Sequence, residues 1–165
     1  MERSRCSWAR GSEQMLRYHD EEWGVPVTDD RKLFEFLLLE SAQAGLSWAA
    51  ILARREGYRA CFAGFDPARV AAFNEADVRR LMADGRIIRN RLKIESAVNN
   101  ARIFLELSAR HGSFAAWLWR YVDGSPLQHG FTSPEAVPAK SGLSDQLARD
   151  MKALGFKFLG STILY

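Results

Sequence analysis

The stretch Leu33–Trp48, reading LFEFLLLESAQAGLSW, decides the fold. Leu33, Phe36, Leu37 and Ala44 recur at helical spacing and lay out one apolar face. Thr28, Asp29 or Asp30 can cap this helix, and the two aspartates suit its positive end. Glu40 lies three residues after Leu37, four after Phe36 and four before Ala44, so it shares the apolar face. Arg31, Lys32 and Glu35 mark the expected wet face. An ionised carboxylate is costly to bury unless something charged or hydrogen-bonding meets it. Glu40 is therefore either held by an arginine or backbone groups, or it faces a pocket and is aimed at a ligand. Gly45 permits a sharp turn just after the helix, and Trp48 adds a large flat face.

Working outward, the 165 residues are 47% hydrophobic, enough for one domain, 1–165, with a real core. No apolar run approaches the roughly 20 residues of a membrane span. No basic start followed by an apolar segment and a cleavage site is present. The expectation is a soluble, cytosolic protein. The two cysteines, Cys6 and Cys61, form no disulfide pattern, and Cys61 in the run ACF reads as a small buried residue.

The net charge is only +3, but it is unevenly placed. Asp20 to Glu40 holds seven acids and two bases, and Arg79 to Arg102 holds seven bases and two acids. The basic segment suits a polyanion such as nucleic acid, with a solvated helix face as the alternative.

The remaining pattern is helical throughout, and the class is all-α. A short helix is expected around residues 13–19, amid the scattered aromatics Trp8, Tyr18 and Trp23. Tryptophans in so polar a region need somewhere to pack, and covering one end of the core is their commoner fate. Ser47 caps a helix from residue 48 to about 56, ended by Gly57. Asp66-Pro67 opens another, and Asn74 caps one over residues 75–82. The turn Asp84-Gly85 follows, and Asn90 caps a long helix with Ile94, Val98, Ala101 and Leu105 on one side. This helix, hairpin and helix, about 75–105, clusters arginines at a helix start, where free N–H groups and the dipole can hold a phosphate. Ser113 caps a helix with Phe114, Trp117, Leu118 and Tyr121 inward. A proline-bearing connection spans 123–142, and Ser144 is expected to cap a helix burying Leu147, Met151 and Leu154.

The pieces CSW near the start, YHDEEWGVP, LLLESAQAGLSW, YRACFAGFDPARVA, GRIIRNRLKI and GFKFLGSTILY together resemble the 3-methyladenine DNA glycosylase I family. They run in order from Cys6 to Tyr165. The resemblance implies the helix-hairpin-helix glycosylase fold. It also implies hydrolytic excision of N3-methyladenine from alkylated double-stranded DNA, as a monomer and without strand cleavage. Glu40 matches the pocket glutamate that contacts the damaged base. Tyr18, Trp23 and Trp48 match the aromatic pocket, with Trp8 at its edge. Cys6 and His19 match the first two ligands of a structural zinc that ties the chain ends, 1–27 and 155–165, together. The family's other two ligands, a histidine and a cysteine, come from a tail beyond the equivalent of Tyr165, and His111 and His129 do not occupy their places. Arg86, Arg89, Arg91 and Lys93, with backbone groups of Gly85, Ile87 and Ile88, are the candidates for facing phosphate.

Two rival readings remain at this level. A non-catalytic helix-hairpin-helix DNA-binding module explains the basic hairpin but leaves Glu40 and the aromatics unexplained. A bifunctional glycosylase that also cuts the strand needs an amine nucleophile, and Lys93 is the hairpin unit's only lysine.

Overall fold

The computed structural model describes residues 5–165, so the first four residues of the expected domain lie outside the described part. Among the described residues there are helices and turns and no strands. The α-helices are α1 (Glu13–Glu21), α2 (Asp30–Gln43), α3 (Trp48–Leu52), α4 (Arg55–Cys61) and α5 (Pro67–Ala71). They continue with α6 (Glu75–Met82), α7 (Arg91–His111), α8 (Phe114–Trp119), α9 (Gly142–Ala153) and α10 (Ser161–Leu164). No helix among the described residues is long and apolar enough to cross a membrane.

Capping chemistry sets most of these boundaries. Asp29 begins α2 by accepting from Lys32 N at 2.8 Å. Asp30, one residue on, accepts instead from Phe114 N and Ala115 N, at 2.9 and 2.8 Å. It thereby quiets the orphan donors at the start of α8, 84 residues away, where a carboxylate also meets the positive end of the dipole. Asn74 and Asp77 close a capping box on α6, and Asn90 and Ser113 cap α7 and α8.

Three expected boundaries move. The helix begun at Ser47 ends at Leu52, and a second short helix, α4, runs through Gly57 without stopping. Gly57 is needed for space: a Cβ there would meet the Arg86 carbonyl oxygen at 2.5 Å, so α4 lies directly against the hairpin before α7. At the other end Ser141, not Ser144, caps α9. Ser144 is the third helical residue, returning a bond to Ser141 N at 2.8 Å and meeting Ser161 of α10 at 2.8 Å. Leu154, expected inside, is exposed, because Gly155 at φ +97° turns the chain away just after it.

The core forms where α2 and α7 pass through the other helices. Phe34, Leu39, Ala101 and Phe104 are essentially sealed, and Phe104 stacks on Phe114 at 4.2 Å. α7 buries a stripe of Ile94, Ala97, Val98, Ala101, Phe104 and Leu107, wider than the expected stripe, with Leu105 drifting to its edge. α2 is wrapped on most sides, since Phe34, Leu37, Leu38, Leu39, Ser41 and Ala42 are all buried. The face defined by Leu33, Phe36 and Glu40 is only half-buried.

Candidate active site

Of the two glutamates of α2, Glu40 keeps its expected side and Glu35 does not. Glu35, assigned to the wet face, is 4% exposed. It accepts from Arg55 Nε at 2.7 Å and Arg59 Nη2 at 2.9 Å, with Lys32 Nζ at 3.4 Å. Arg55 also makes a forked pair to Glu22 at 2.7 and 2.8 Å. The error has a simple cause. At 3.6 residues per turn Glu35 and Glu40 lie about 140° apart around the axis. Hydrophobicity alone marks which face is apolar and cannot reveal that a second face meets an arginine cluster.

Glu40 has no such partner. It makes no hydrogen bond or ion pair among the described residues, and burial pushes its carboxyl up to about 7. Its charge is felt by Tyr18, whose phenol is driven well above its ordinary value by burial and then by Glu40. The Tyr18 ring lies 5.2 Å from that of Trp48 and 6.3 Å from that of Trp8, and Trp8 stands edge-on to Trp23 at 5.2 Å. A continuous wall of rings thus runs from Trp48 through Tyr18 and Trp8 to Trp23, with Trp8 and Trp23 partly exposed at its outer end. The Trp48 indole N–H is buried and finds no acceptor among the described residues. A buried donor without an acceptor, on a ring beside Tyr18, and a half-buried carboxylate without a donor, whose charge reaches the same tyrosine, suit a ligand that can offer both partners.

Phe36 belongs to this wall and was missed. It lies 6.3 Å from Tyr18, with Lys32 Nζ at 4.9 Å and Arg55 at 5.7 Å from its ring centre. Glu22 was missed as well. Its pairing with Arg55 and with Lys32 at 2.7 Å holds its carboxyl down to about 2 and ties the end of α1, which carries Tyr18 and Trp23, onto α2 and α4. Its place four residues after Tyr18 and next to Trp23 was the available signal.

The candidate metal ligands come together but do not make a metal site by themselves. Cys6 N donates to His19 Nε2 at 3.4 Å, while His19 Nδ1 meets Asp20 Oδ1 at 2.9 Å and Asp20 is forked by Arg5. Both ring nitrogens of His19 are therefore engaged, and the ring is stacked on Trp23 at 5.4 Å. Among the described residues no three His, Cys, Asp or Glu side chains converge as a metal cluster. Two donors do not fit a closed structural zinc, which wants four.

The basic hairpin is less free than its composition suggests. Arg86 is paired with Asp84 at 2.7 Å, and Arg91 with Glu75 and Glu95 at 2.7 and 2.8 Å. Lys93, expected to face phosphate, instead turns inward. Its ammonium donates to the carbonyls of Ala42 and Ala44 at the end of α2, where orphan acceptors offer it more than solvent does. Arg89 is exposed and makes no side-chain hydrogen bond or ion pair among the described residues. Ile87 is buried in the core, and Ile88 N is already bonded to the Tyr58 hydroxyl at 3.2 Å. The hairpin N–H groups of Gly85, Ile87 and Arg89 find no acceptor among the described residues, and they lie beside the first turn of α7.

An all-helical frame with a helix-hairpin-helix unit, a ring wall and an unclaimed carboxylate defines the helix-hairpin-helix DNA glycosylases as a class. Comparison with known proteins narrows this. The Methyladenine glycosylase family pattern matches residues 8–165. The chain is 45% identical to DNA-3-methyladenine glycosylase 1 of Escherichia coli K12 over 161 residues, 98% of this chain and 86% of that protein. It is 37% identical to DNA-3-methyladenine glycosylase of Haemophilus influenzae, over 98% of this chain and 88% of that one. A crystal structure of 3-methyladenine DNA glycosylase I superposes with a TM-score of 0.93 at 48% identity, covering 98% and 89% of the two chains. The Staphylococcus aureus enzyme, solved for its recognition of 3-methyladenine, superposes at 0.92 with 38% identity, covering 96% and 85%. The chain belongs to the methyladenine glycosylase family.

Proposed function

We propose that this chain is a DNA-3-methyladenine glycosylase, hydrolysing the N-glycosidic bond of N3-methyladenine in alkylated double-stranded DNA and leaving the strand intact. The observation that carries the reading is Glu40: a carboxylate drawn largely out of water near Tyr18, with no hydrogen-bond or ion-pair partner among the described residues.

Methylation at N3 makes adenine a cation and weakens its bond to the sugar. Extruding the nucleotide costs a few kcal/mol, least for a damaged base. Between the rings of Trp48, Tyr18 and Trp23 a cationic purine gains about 0.5–2 kcal/mol that neutral adenine does not. Glu40 accepts from the exocyclic amino group, and its charge, acting where water is scarce, favours the cation further. When the bond between C1′ and the base nitrogen breaks, its electron pair goes to the purine, which leaves neutral. The positive charge passes to the sugar until water adds and releases a proton. The base is already an activated leaving group, so strong acid catalysis is unnecessary. Glu40 selects and orients.

Lys93 supports hydrolysis without strand cleavage. The hairpin's only lysine is engaged by two carbonyls and offers no amine for a Schiff base. For DNA, Arg89 and the N–H groups at the start of α7 are the groups best placed to receive phosphate. Incubation with methylated duplex DNA and chromatography of the released bases tests the proposal. Release of 3-methyladenine, reduced in Glu40→Gln with DNA affinity nearly intact, is expected. Binding to DNA without release by the wild-type protein would leave only a DNA-binding module.

A further inference from the structure

A groove of about 690 Å³ opens away from Glu40, lined among others by Leu92, Ser96, Phe156 and Phe158. Its floor is apolar, and its rim carries Arg149, Lys152 and Lys157. All three are exposed, and none makes a side-chain hydrogen bond or ion pair among the described residues. The acid in the lining, Glu95, is already paired with Arg91 at 2.8 Å. This differs from the hairpin, where most cations are matched by acids.

The groove is also held open deliberately. Asn100, 1% exposed, clamps the Lys157 backbone from both sides, accepting from Lys157 N at 2.9 Å and donating to its carbonyl at 3.0 Å. Asn99 donates to the Gly155 carbonyl at 2.9 Å. The result places Phe158 at φ +59°, a left-handed backbone that a bulky residue rarely adopts, with the residue 39% exposed. Asn100 therefore fixes an aromatic face outward between lysines.

The groove is continuous with the DNA face. Leu92 is the second residue of α7, beside the hairpin, and Lys93 Nζ lies 6.0 Å from the Phe158 ring centre while it holds the end of α2. We infer that the groove between α7, α9 and residues 156–160 is a second DNA contact, taking the backbone of the strand that flanks the lesion. Arg149, Lys152 and Lys157 face its phosphates, and Phe158 lies against its sugars. Exposed cations around an apolar floor with an outward ring are the combination that tracks a nucleic-acid backbone. The inference rests on the glycosylase reading above and extends its substrate contact from the hairpin to the far side of α7.

The test is the triple variant Arg149→Ala, Lys152→Ala, Lys157→Ala, with single Lys152→Glu as a milder second variant. Binding to a duplex carrying a lesion analogue is measured against salt, on one duplex extending two helical turns on both sides and on others trimmed on either side. Each phosphate contact removed lowers the salt slope by about 0.9, or about threefold in affinity across a fourfold change in salt. The triple variant is expected to lose a slope of about 2–3 on the full duplex and to match wild type when one particular flank is trimmed. Affinity for free 3-methyladenine should be unchanged, which shows an intact fold and base site. Wild-type slope and affinity in both variants would overturn the inference, as would a groove-dependent self-association in ultracentrifugation with DNA binding unaltered. Failure of the wild-type protein to release 3-methyladenine would sink the glycosylase reading instead.

Discussion

Replacing Glu40 with glutamine separates what this side chain does for the reaction from what it does to the fold. Burial moves its carboxyl from the ordinary value of 4.5 to about 7. At about 1.4 kcal/mol per pH unit, the folded protein gives up about 3 kcal/mol to keep Glu40 ionised. A raised carboxyl holds its proton more tightly when folded, so the sign is against stability at high pH. Below about pH 4.5 folded and unfolded chains are both protonated and nothing is lost. Between about 4.5 and about 7 stability falls as pH rises, and above about 7 the full loss is present. Glutamine keeps the shape and never ionises. Glu40→Gln should therefore melt above wild type at about pH 8, by up to about 6–12 °C for a chain of this size, and converge with it near pH 4.5. Water reaching the carboxylate shrinks that figure without changing its sign. The assay is thermal unfolding by circular dichroism across this pH range, alongside single-turnover base release. Wild-type release should fall as pH drops through about 7, following the ionised carboxylate. Melting curves that stay parallel at all pH values would show that Glu40 is not held out of water, and unchanged release by the variant would remove it from the mechanism.

Other positions give independent checks. Arg55→Met leaves Glu22 and Glu35 facing each other with only Lys32 and Arg59 between them, and should cost about 3 kcal/mol or somewhat less, read as a lower urea midpoint. Because the same arginine anchors the end of α1, weaker 3-methyladenine binding should accompany the loss. Gly57→Ala forces α4 off the Arg86 carbonyl and should lose about 1–3 kcal/mol; equal stability would mean the hairpin yields freely. Asp30→Ala removes the carboxylate from Phe114 N and Ala115 N while leaving the Ser113 cap on α8 and Asp29 on α2, and a loss of about 1–2 kcal/mol is expected by chemical denaturation. Borohydride treatment of the complex with methylated DNA should trap no covalent adduct, since Lys93 is held by α2; a trapped adduct would restore the lyase reading.

Helix positions were legible because capping residues and periodicity are local. Asn74, Asn90 and Ser113 each sit one residue before the helix they start, and the structure keeps them there. Apart from the local shifts at Ser144 and Leu154, the misreadings share one origin, which is a partner distant in sequence. Gly57 looks like a stop signal until Arg86 is seen lying on it. Glu35 looks solvated until Arg55 and Arg59 arrive from α4. Asp30 looks like a cap for its own helix and serves another. Lys93 looks like a phosphate ligand because charge composition does not say which way an ammonium points. The apolar placement of Glu40 and the spaced aromatics were readable. That Glu40 would be left without a partner was not, because a lack of neighbours is a property of the assembled molecule.

The inward turn of Lys93 makes the end of α2 a joint property of two distant segments. α2 ends ahead of Gly45, at φ +78°, and a side chain some fifty positions later grips the carbonyls of Ala42 and Ala44 there. The distance from Glu40 to Trp48, and with it the gap between charge and ring, is thus gauged from the first turn of α7. Lengthening or shortening the hairpin by a single residue would rotate Lys93 about 100° around its axis and release that gauge. The proposed DNA-facing hairpin and the proposed base pocket are thereby tied to a common datum.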